Sequence, residues 1–508
     1  MKIFISYPPL ISEKGIPLLG QNRQFQWFNS PTYIYPVIPA YTATLLQKNG
    51  EEVIWDDGIA EGLSYEAWRE RLLAARPDLV MIETKTPVVK RHWRIINELK
   101  AKADWPLKIA LVGDHVTAEP EESLRYSKVD YVLAGGDYDF GVANLVKFLA
   151  GNAELEPGWY SRLGGNWDKT GKNEEINWEG GEFKDCEFKN SGNRQDYHLH
   201  DLNSLPEIDR NLTKWQLYAY KNGNFKYTPG TYMMSGRDCF WGKCSFCSWT
   251  TLFPGSNFRT RSAKLALDEV GHLIDLSVKE IMEDSGTLPI GPWLQEFCEG
   301  MIQRGYNKRV TMSCNMRING ITSLETWKLM KQAGFRFVLF GLESANQNTL
   351  DKINKGLKTE EIEPGLRMCK EAGLEPHITA MIGYPWETYE DAKRTVALAK
   401  DLFKKNYVNT LQGTVLIPYP GTPLYKYCQN NDLLNFTDYD RFDQREQVMK
   451  CPLSTGQVKE LTQGLYKAFL TPRFVFNKIK SIRSLDDIKF LWMAGMKVLG
   501  HLTDFGKK

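Results

Sequence analysis

No run in this 508-residue chain approaches the roughly eighteen consecutive apolar residues of a membrane-spanning helix, so no segment is expected to cross a bilayer in that form. Charge of one sign is not in excess either: 64 Lys and Arg stand against 62 Asp and Glu. No bulk field therefore draws the chain to nucleic acid or an anionic surface, and local sites must choose its partners. Nine cysteines are too few and too irregularly spaced for a disulfide framework. The opening Met1-Lys2-Ile3-Phe4-Ile5-Ser6 reads as a strand without the apolar core of a signal peptide, and the expected compartment is a reducing cytoplasm. Internal repeats and low-complexity tracts are also missing. What remains is length enough for roughly two or three domains, each with its own core.

Through the first 150 residues, short apolar or β-branched runs alternate with helical patterns. Strands are expected at 3–5, 52–55, 79–82, 108–112 and 131–133, and helices at 37–48, 64–75, 88–103, 119–126 and 139–150. This alternation predicts an α/β fold with a doubly wound, Rossmann-like parallel sheet over 1–150, its ligand beyond the carboxyl ends of the strands. Those ends read Ser6-Tyr7-Pro8-Pro9, Asp56-Asp57-Gly58, Glu83-Thr84-Lys85-Thr86-Pro87, Gly113-Asp114-His115 and Gly135-Gly136-Asp137. No GxGxxG follows the first strand, which argues against an ordinary dinucleotide site. Residues 151–228, with Gly164-Gly165 and Gly180-Gly181, read as a connector containing a β-ribbon or irregular loops. Over 229–425 the alternation resumes, with strands at 231–235, 279–284, 309–315, 335–343, 375–384 and 409–418. Helices are expected between them near 262–276, 292–304, 323–333, 359–373 and 388–404. Six such units predict a partial (β/α)6 barrel, whose site lies at the strands' C-terminal mouth. Residues 426–508 complete the chain as a C-terminal helical segment, with 458–470 and 485–499 its clearest stretches. Arg473, Phe474, Phe476, Lys478, Ile479, Lys480, Ile482 and Arg483 form either an amphipathic surface for lipid or an apolar substrate, or part of a cap packed on the barrel.

One loop stands apart. Ser235-Gly236-Arg237-Asp238-Cys239-Phe240-Trp241-Gly242-Lys243-Cys244-Ser245-Phe246-Cys247 directly follows the apolar run Thr231-Tyr232-Met233-Met234. Its three thiols suit a metal, yet they are one short of a closed zinc site or a fully ligated four-iron cluster, and no histidine lies within twenty residues. One metal position is left for a substrate or cofactor. A zinc knuckle, or three unrelated buried thiols, are the plainer readings of the same residues.

This loop resembles the signature of the radical S-adenosylmethionine (SAM) enzymes, CxxxCxxC with an aromatic residue before the last cysteine, here Phe246. The chain reads CxxxxCxxC instead, and Gly242 is placed to relax the added turn. The resemblance implies that Cys239, Cys244 and Cys247 hold a 4Fe-4S cluster whose fourth iron is chelated by SAM. The expected strand ends of the barrel carry the rest of the pattern in order. Glu283-Asp284-Ser285-Gly286-Thr287 stands where the family receives SAM's amino group, and Ser313-Cys314-Asn315-Met316-Arg317 brings Arg317, suited to a carboxylate. Phe340-Gly341-Leu342-Glu343-Ser344-Ala345 resembles the family's Gly-(Val/Ile)-Glu-Ser-Gly, in which the equivalent of Glu343 helps hold SAM. Ile382-Gly383-Tyr384-Pro385-Trp386-Glu387-Thr388 and Pro418-Tyr419-Pro420-Gly421-Thr422-Pro423-Leu424-Tyr425 are similar to the last two motifs. Arg317 is equally well read as a structural ion-pair residue, and Cys314 as an inert core thiol.

The order of parts, a doubly wound sheet directly before the cysteine loop, resembles the cobalamin-binding branch of that family. Gly113-Asp114-His115-Val116-Thr117 and Ala134-Gly135-Gly136-Asp137 are similar to the branch's corrin-wrapping loops, and together with Thr84 and Thr86 they make up the implied cobalamin site. The DxHxxG motif that brings a histidine to cobalt in other cobalamin proteins is absent, which implies cobalt without a protein imidazole. Read from the residues, His115 is explained at least as well by a hydrogen bond within its loop, and the sheet by a scaffold that binds no cofactor. The implied activity is reductive cleavage of SAM to a 5′-deoxyadenosyl radical, hydrogen removal from an unactivated carbon, and its methylation from cobalamin. Ring closure or other C–C bond formation, and a radical SAM enzyme without cobalamin, are the alternatives; a zinc-stabilised binding protein is the rival of another class. No side chain is assigned a catalytic role. The implied partners are a small-molecule or lipid substrate and an electron donor such as flavodoxin or ferredoxin, without nucleic acid.

Overall fold

The structure is a computed structural model, and it describes residues 1–10, 12–19, 25–29, 31–193, 200–253 and 258–467, with positions 482 and 495. Lys2–Tyr7 (β1), Glu52–Asp57 (β2), Leu79–Thr84 (β3), Lys108–Gly113 (β4) and Tyr131–Leu133 (β5) pair in parallel in the order β2-β1-β3-β4-β5. All six residues of β3 are buried, as expected of a central parallel strand covered on both faces. The winding reverses between β1 and β3, the place where open α/β sheets form their ligand crevice. There the Tyr7 hydroxyl donates to Glu83 across the divide. The ribbon expected in the connector is Trp159–Asp168 (β6) with Glu182–Asn190 (β7), and it extends the same sheet, β6 lying antiparallel to β5. One local reading is corrected: Gly113-Asp114-His115 is no open loop, because Asp114–Ala118 winds into a short helix that carries His115.

The second sheet holds Gly230–Met233 (β8), Glu280–Glu283 (β9), Thr311–Met316 (β10), Phe335–Glu343 (β11), Glu375–Ile382 (β12) and Thr410–Val415 (β13), all parallel and in sequence order. This is the expected six-stranded partial barrel, each strand returning through a helix. Four helices start where a Ser or Thr caps them. Ser262, Ser323, Thr388 and Thr422 each accept the N–H three residues on, a bond worth about 1 kcal/mol apiece. The following helix, Thr455–Tyr466, lies against β13, with the Tyr466 hydroxyl donating to the Gly413 carbonyl at 2.8 Å. The expected helix at 485–499 and the basic amphipathic surface over 473–483 fall almost wholly outside the described residues. Among the described residues no helix is long and apolar enough to cross a membrane.

Sheet and barrel meet through buried polar groups. Glu269, on the helix Ala263–Asp275, accepts from Arg210 of the connector at 2.8 Å, from Arg261, and from the Tyr41 hydroxyl of the helix Val37–Lys48 at 3.2 Å. On another side, the chain beyond the barrel folds back over the first sheet. Lys90 reaches the carbonyls of Ile176 and Asn177 and pairs with Asp438 and Asp440, while the Tyr439 ring lies 4.8 Å from that of His115.

Candidate functional site

The cysteine loop is held open by its surroundings. Its residue in excess of the usual spacing is absorbed at Gly242, whose φ of +55° lies in the left-handed region that glycine enters without strain. The Trp241 indole donates to the Asn354 carbonyl at 2.7 Å, and Ser245 N–H donates to that of Ile353 at 2.9 Å, so the loop is fastened to the segment following β11. Gly286, after β9, packs so closely that a Cβ there would come within 2.4 Å of the Asp238 carbonyl oxygen. Cys239, Cys244 and Cys247 are all half-buried, and Cys239 Sγ lies 2.8 Å from Thr287 Oγ1. Burial pushes the Cys244 thiol up, and the cations Lys355 and Arg317 pull it back towards thiolate. Among the described residues no three His, Cys, Asp or Glu side chains converge on a point where one metal ion would sit. A cluster asks for a different arrangement, thiolates on separate irons with cations nearby to offset its charge, and this donor set fits it.

The strand ends form the rest of the mouth. Glu283 Oε1 accepts from Ser235 N–H at 2.7 Å and from Ser285 Oγ at 2.5 Å, and Ser285 in turn accepts Gly236 N–H at 2.7 Å. These two residues therefore fix the entry to the cysteine loop. Burial, opposed by those bonds, pushes the Glu283 carboxyl up to about 7. A carboxyl whose pKa rises on folding loses stability as pH climbs from its unfolded value to its folded one. From pH 5 to 8, wild type should lose about 2 to 3 kcal/mol relative to Glu283→Gln, read by denaturant unfolding at each pH. A constant difference would place the titration elsewhere. Asp284 accepts from Asn315 Nδ2 at 2.9 Å. Arg317, expected to face a carboxylate, directs one nitrogen at the carbonyls of Lys355 (2.6 Å) and Gly356 (2.8 Å), and its guanidinium lies over Trp241. Glu343 sits at φ +65° beside a bulge in β11, a conformation costing a non-glycine residue about 1 to 3 kcal/mol and concentrated at functional sites. Lys355 donates to it at 2.8 Å. Ser344 stands behind this front, donating to Glu387 at 2.6 Å, and Gly383 turns the end of β12 at φ +102°. The side chain of Phe246 packs under Lys355.

At the ends of the first sheet the candidate side chains are largely engaged with one another. Thr84 Oγ1 lies 2.7 Å from His92 Nδ1, Thr86 Oγ1 3.2 Å from His115 Nδ1, and Asp114 3.5 Å from Lys85. His115 is fully buried and bonded within its neighbourhood. Gly135 N–H donates to Thr117 Oγ1 at 3.0 Å, and Gly136 N–H to the Leu252 carbonyl at 2.9 Å. Beside the ends of β1 and β2 lies a small cavity of about 20 Å³, walled by Leu18, Leu19, Tyr33, Asp57 and Tyr218. Thr287, Asn315 and Trp241 lie in stretches singled out above but are given no role by the sequence, and nothing there marks Lys355; the part each plays is recognisable only by what it touches. Tyr384 is another such residue: its hydroxyl is buried among Glu343, Glu387 and Cys244 without a hydrogen-bond partner.

Residues 233–399 match the radical SAM superfamily, so this region is a radical SAM domain, which implies a 4Fe-4S cluster and SAM. An uncharacterized methyltransferase of Pyrococcus horikoshii is 25% identical over 449 residues, 87% of this chain and 90% of its own. The anaerobic magnesium-protoporphyrin IX monomethyl ester cyclase of Cereibacter sphaeroides is 24% identical over 455 residues, 87% of this chain and 68% of its own. Among solved structures, the cobalamin-dependent SAM radical enzyme OxsB, with aqua-cobalamin and SAM bound, shares the fold. Its TM-score is 0.68 at 14% identity, covering 99% of this chain and 72% of that one.

Proposed function

We propose that this protein, a carrier of a radical SAM domain, is a cobalamin-dependent methyltransferase acting on an unactivated carbon of a small-molecule or lipid substrate. The observation that carries this reading is an abutment. The Gly135-Gly136 turn at the end of β5 bonds directly to Trp249–Leu252, the short helix that leaves Cys247, so the ligand edge of one sheet faces the cysteine loop of the other. The relative named as a methyltransferase and the cobalamin-bound structural neighbour support it.

When bound, the cluster with SAM supplies a carbon-centred radical able to take hydrogen from an unactivated carbon, and cobalamin supplies a methyl group. The chain's own residues bind and orient. Cys239, Cys244 and Cys247 would hold the cluster, with Arg317 and Lys355 offsetting its charge. Asp284, Glu343 and Ser285 line the mouth where SAM would bind. Gly113, Asp114, Gly135 and Gly136 would line the corrin. His92 is fully buried against Thr84, and His115 is held by Thr86 and Tyr439, which supports cobalt without a histidine ligand. Electrons would come from a flavodoxin or ferredoxin in a reducing cytoplasm.

Anaerobic reconstitution with iron, sulfide and hydroxocobalamin tests the proposal. About four irons per chain and a corrin absorption band are expected; iron without corrin would leave a radical SAM enzyme of another kind. Paramagnetic resonance of the Co(II) form should lack nitrogen superhyperfine splitting. A nitrogen triplet that vanishes in His115→Ala would make His115 a cobalt ligand and overturn that assignment. The relative named as a cyclase supports a second reading, ring closure on the same radical; mass spectrometry separates the two, since only methylation adds carbon to the product.

A further inference from the structure

We propose that Arg237 and Asp139 are positioning residues whose buried ion pair sets the separation between the cysteine loop and the Gly135-Gly136 turn. This rests on the cobalamin reading above. Arg237 stands two residues before Cys239 and is 2% exposed; the Asp139 side chain is fully buried. One guanidinium nitrogen donates to Asp137 at 2.8 Å and to Asp139 at 2.9 Å, and the other to the second Asp139 oxygen, a two-pronged grip on that carboxylate. Directly across a two-residue ladder, Arg259 grips Asp137 with both nitrogens at 2.9 Å. Asp137 immediately follows Gly136, and both aspartates belong to the start of the helix Tyr138–Leu149.

Three buried charges and a half-buried fourth, Arg259, are a poor way to gain stability, because desolvation offsets most of the attraction. They are a good way to fix distance and angle: a planar fork on a carboxylate allows little play, whereas apolar side chains at the same place could slide. The backbone on either side is short and stiff. Asp238, between Arg237 and Cys239, is at φ +72°, and Gly236 is bonded to Ser285. A displacement at Arg237 is therefore passed to the cluster's first ligand. Radical transfer between two bound groups tolerates little of this, since about 1 Å of misplacement can cost about a hundredfold in rate.

The test uses reconstituted holoenzyme and needs no substrate. Asp139→Asn is expected to take up iron and corrin as wild type does. Pulsed paramagnetic resonance should then show the distance between Co(II) and the reduced cluster shifted or broadened by about 1 Å or more. Arg237→Lys, which keeps the charge and loses the fork, should fall between the two, and it carries the comparison if Asp139→Asn does not load. Full loading with an unchanged distance distribution in both variants would refute the positioning role alone. Absence of corrin uptake by wild type would refute the cobalamin reading, and this inference with it.

Discussion

Replacing Cys239, Cys244 or Cys247 by Ala is expected to abolish the cluster. Iron should fall from about four per chain to background, and formation of 5′-deoxyadenosine by at least about a thousandfold, because on the proposed assignment each thiolate would hold its own iron. The contrast within the chain sharpens the test. Burial pushes the Cys298 thiol up to about 12, the Cys428 thiol to about 11, and Cys369 higher than its ordinary value. These thiols are buried on the helices Pro292–Gln303, Thr359–Glu371 and Pro423–Asn430, not at the strand ends where the cysteine loop lies. Their Ala variants should keep full iron and cleavage, losing only about 0.5 to 3 kcal/mol of stability as small core deletions. Normal SAM cleavage in any one of the first three variants would show that the ligands have been misassigned.

Glu269→Ala should give the largest loss of stability, about 3 to 5 kcal/mol, because it leaves Arg210 and Arg261 buried with no carboxylate between them. The side chains involved are 3% exposed or less, so water cannot take over. The loss should appear as an early denaturant transition, since Glu269 joins connector, barrel helix and the helix carrying Tyr41. Replacing the network by apolar residues of similar volume should recover most of it. An unchanged transition midpoint in Glu269→Ala would mean that the network contributes nothing to the joint.

Much of this was legible in the sequence because strands and helices differ in period. The expected strand at 375–384 is Glu375–Ile382, and the expected helix at 323–333 is Leu324–Gln332, begun by its Ser323 cap. What escaped has no local signal. The paired glycines at 164–165 and 180–181 announce a ribbon, but its docking on β5 depends on tertiary contacts. Asp114–Ala118 is five residues long, too short to display a helical period. Arg237 and Asp137 lie 100 residues apart and look like ordinary surface charges until the fold buries them together. The cysteine loop could be read because its chemistry is in the residue types themselves; Lys355, whose neighbourhood is made by folding, could not.

The crossing of the chain back over the first sheet also orders events in time. His115 is covered by Tyr439, and Lys90 by Asp438 and Asp440, segments made about 320 to 350 residues after the groups they cover. At about 5 to 20 residues per second, synthesis leaves the edge of the first sheet uncovered for roughly 12 to 50 s after its last strand, β7, is complete. A nascent chain thus passes through an interval in which this edge of the sheet lies open, and it closes once residues 438–440 have been made.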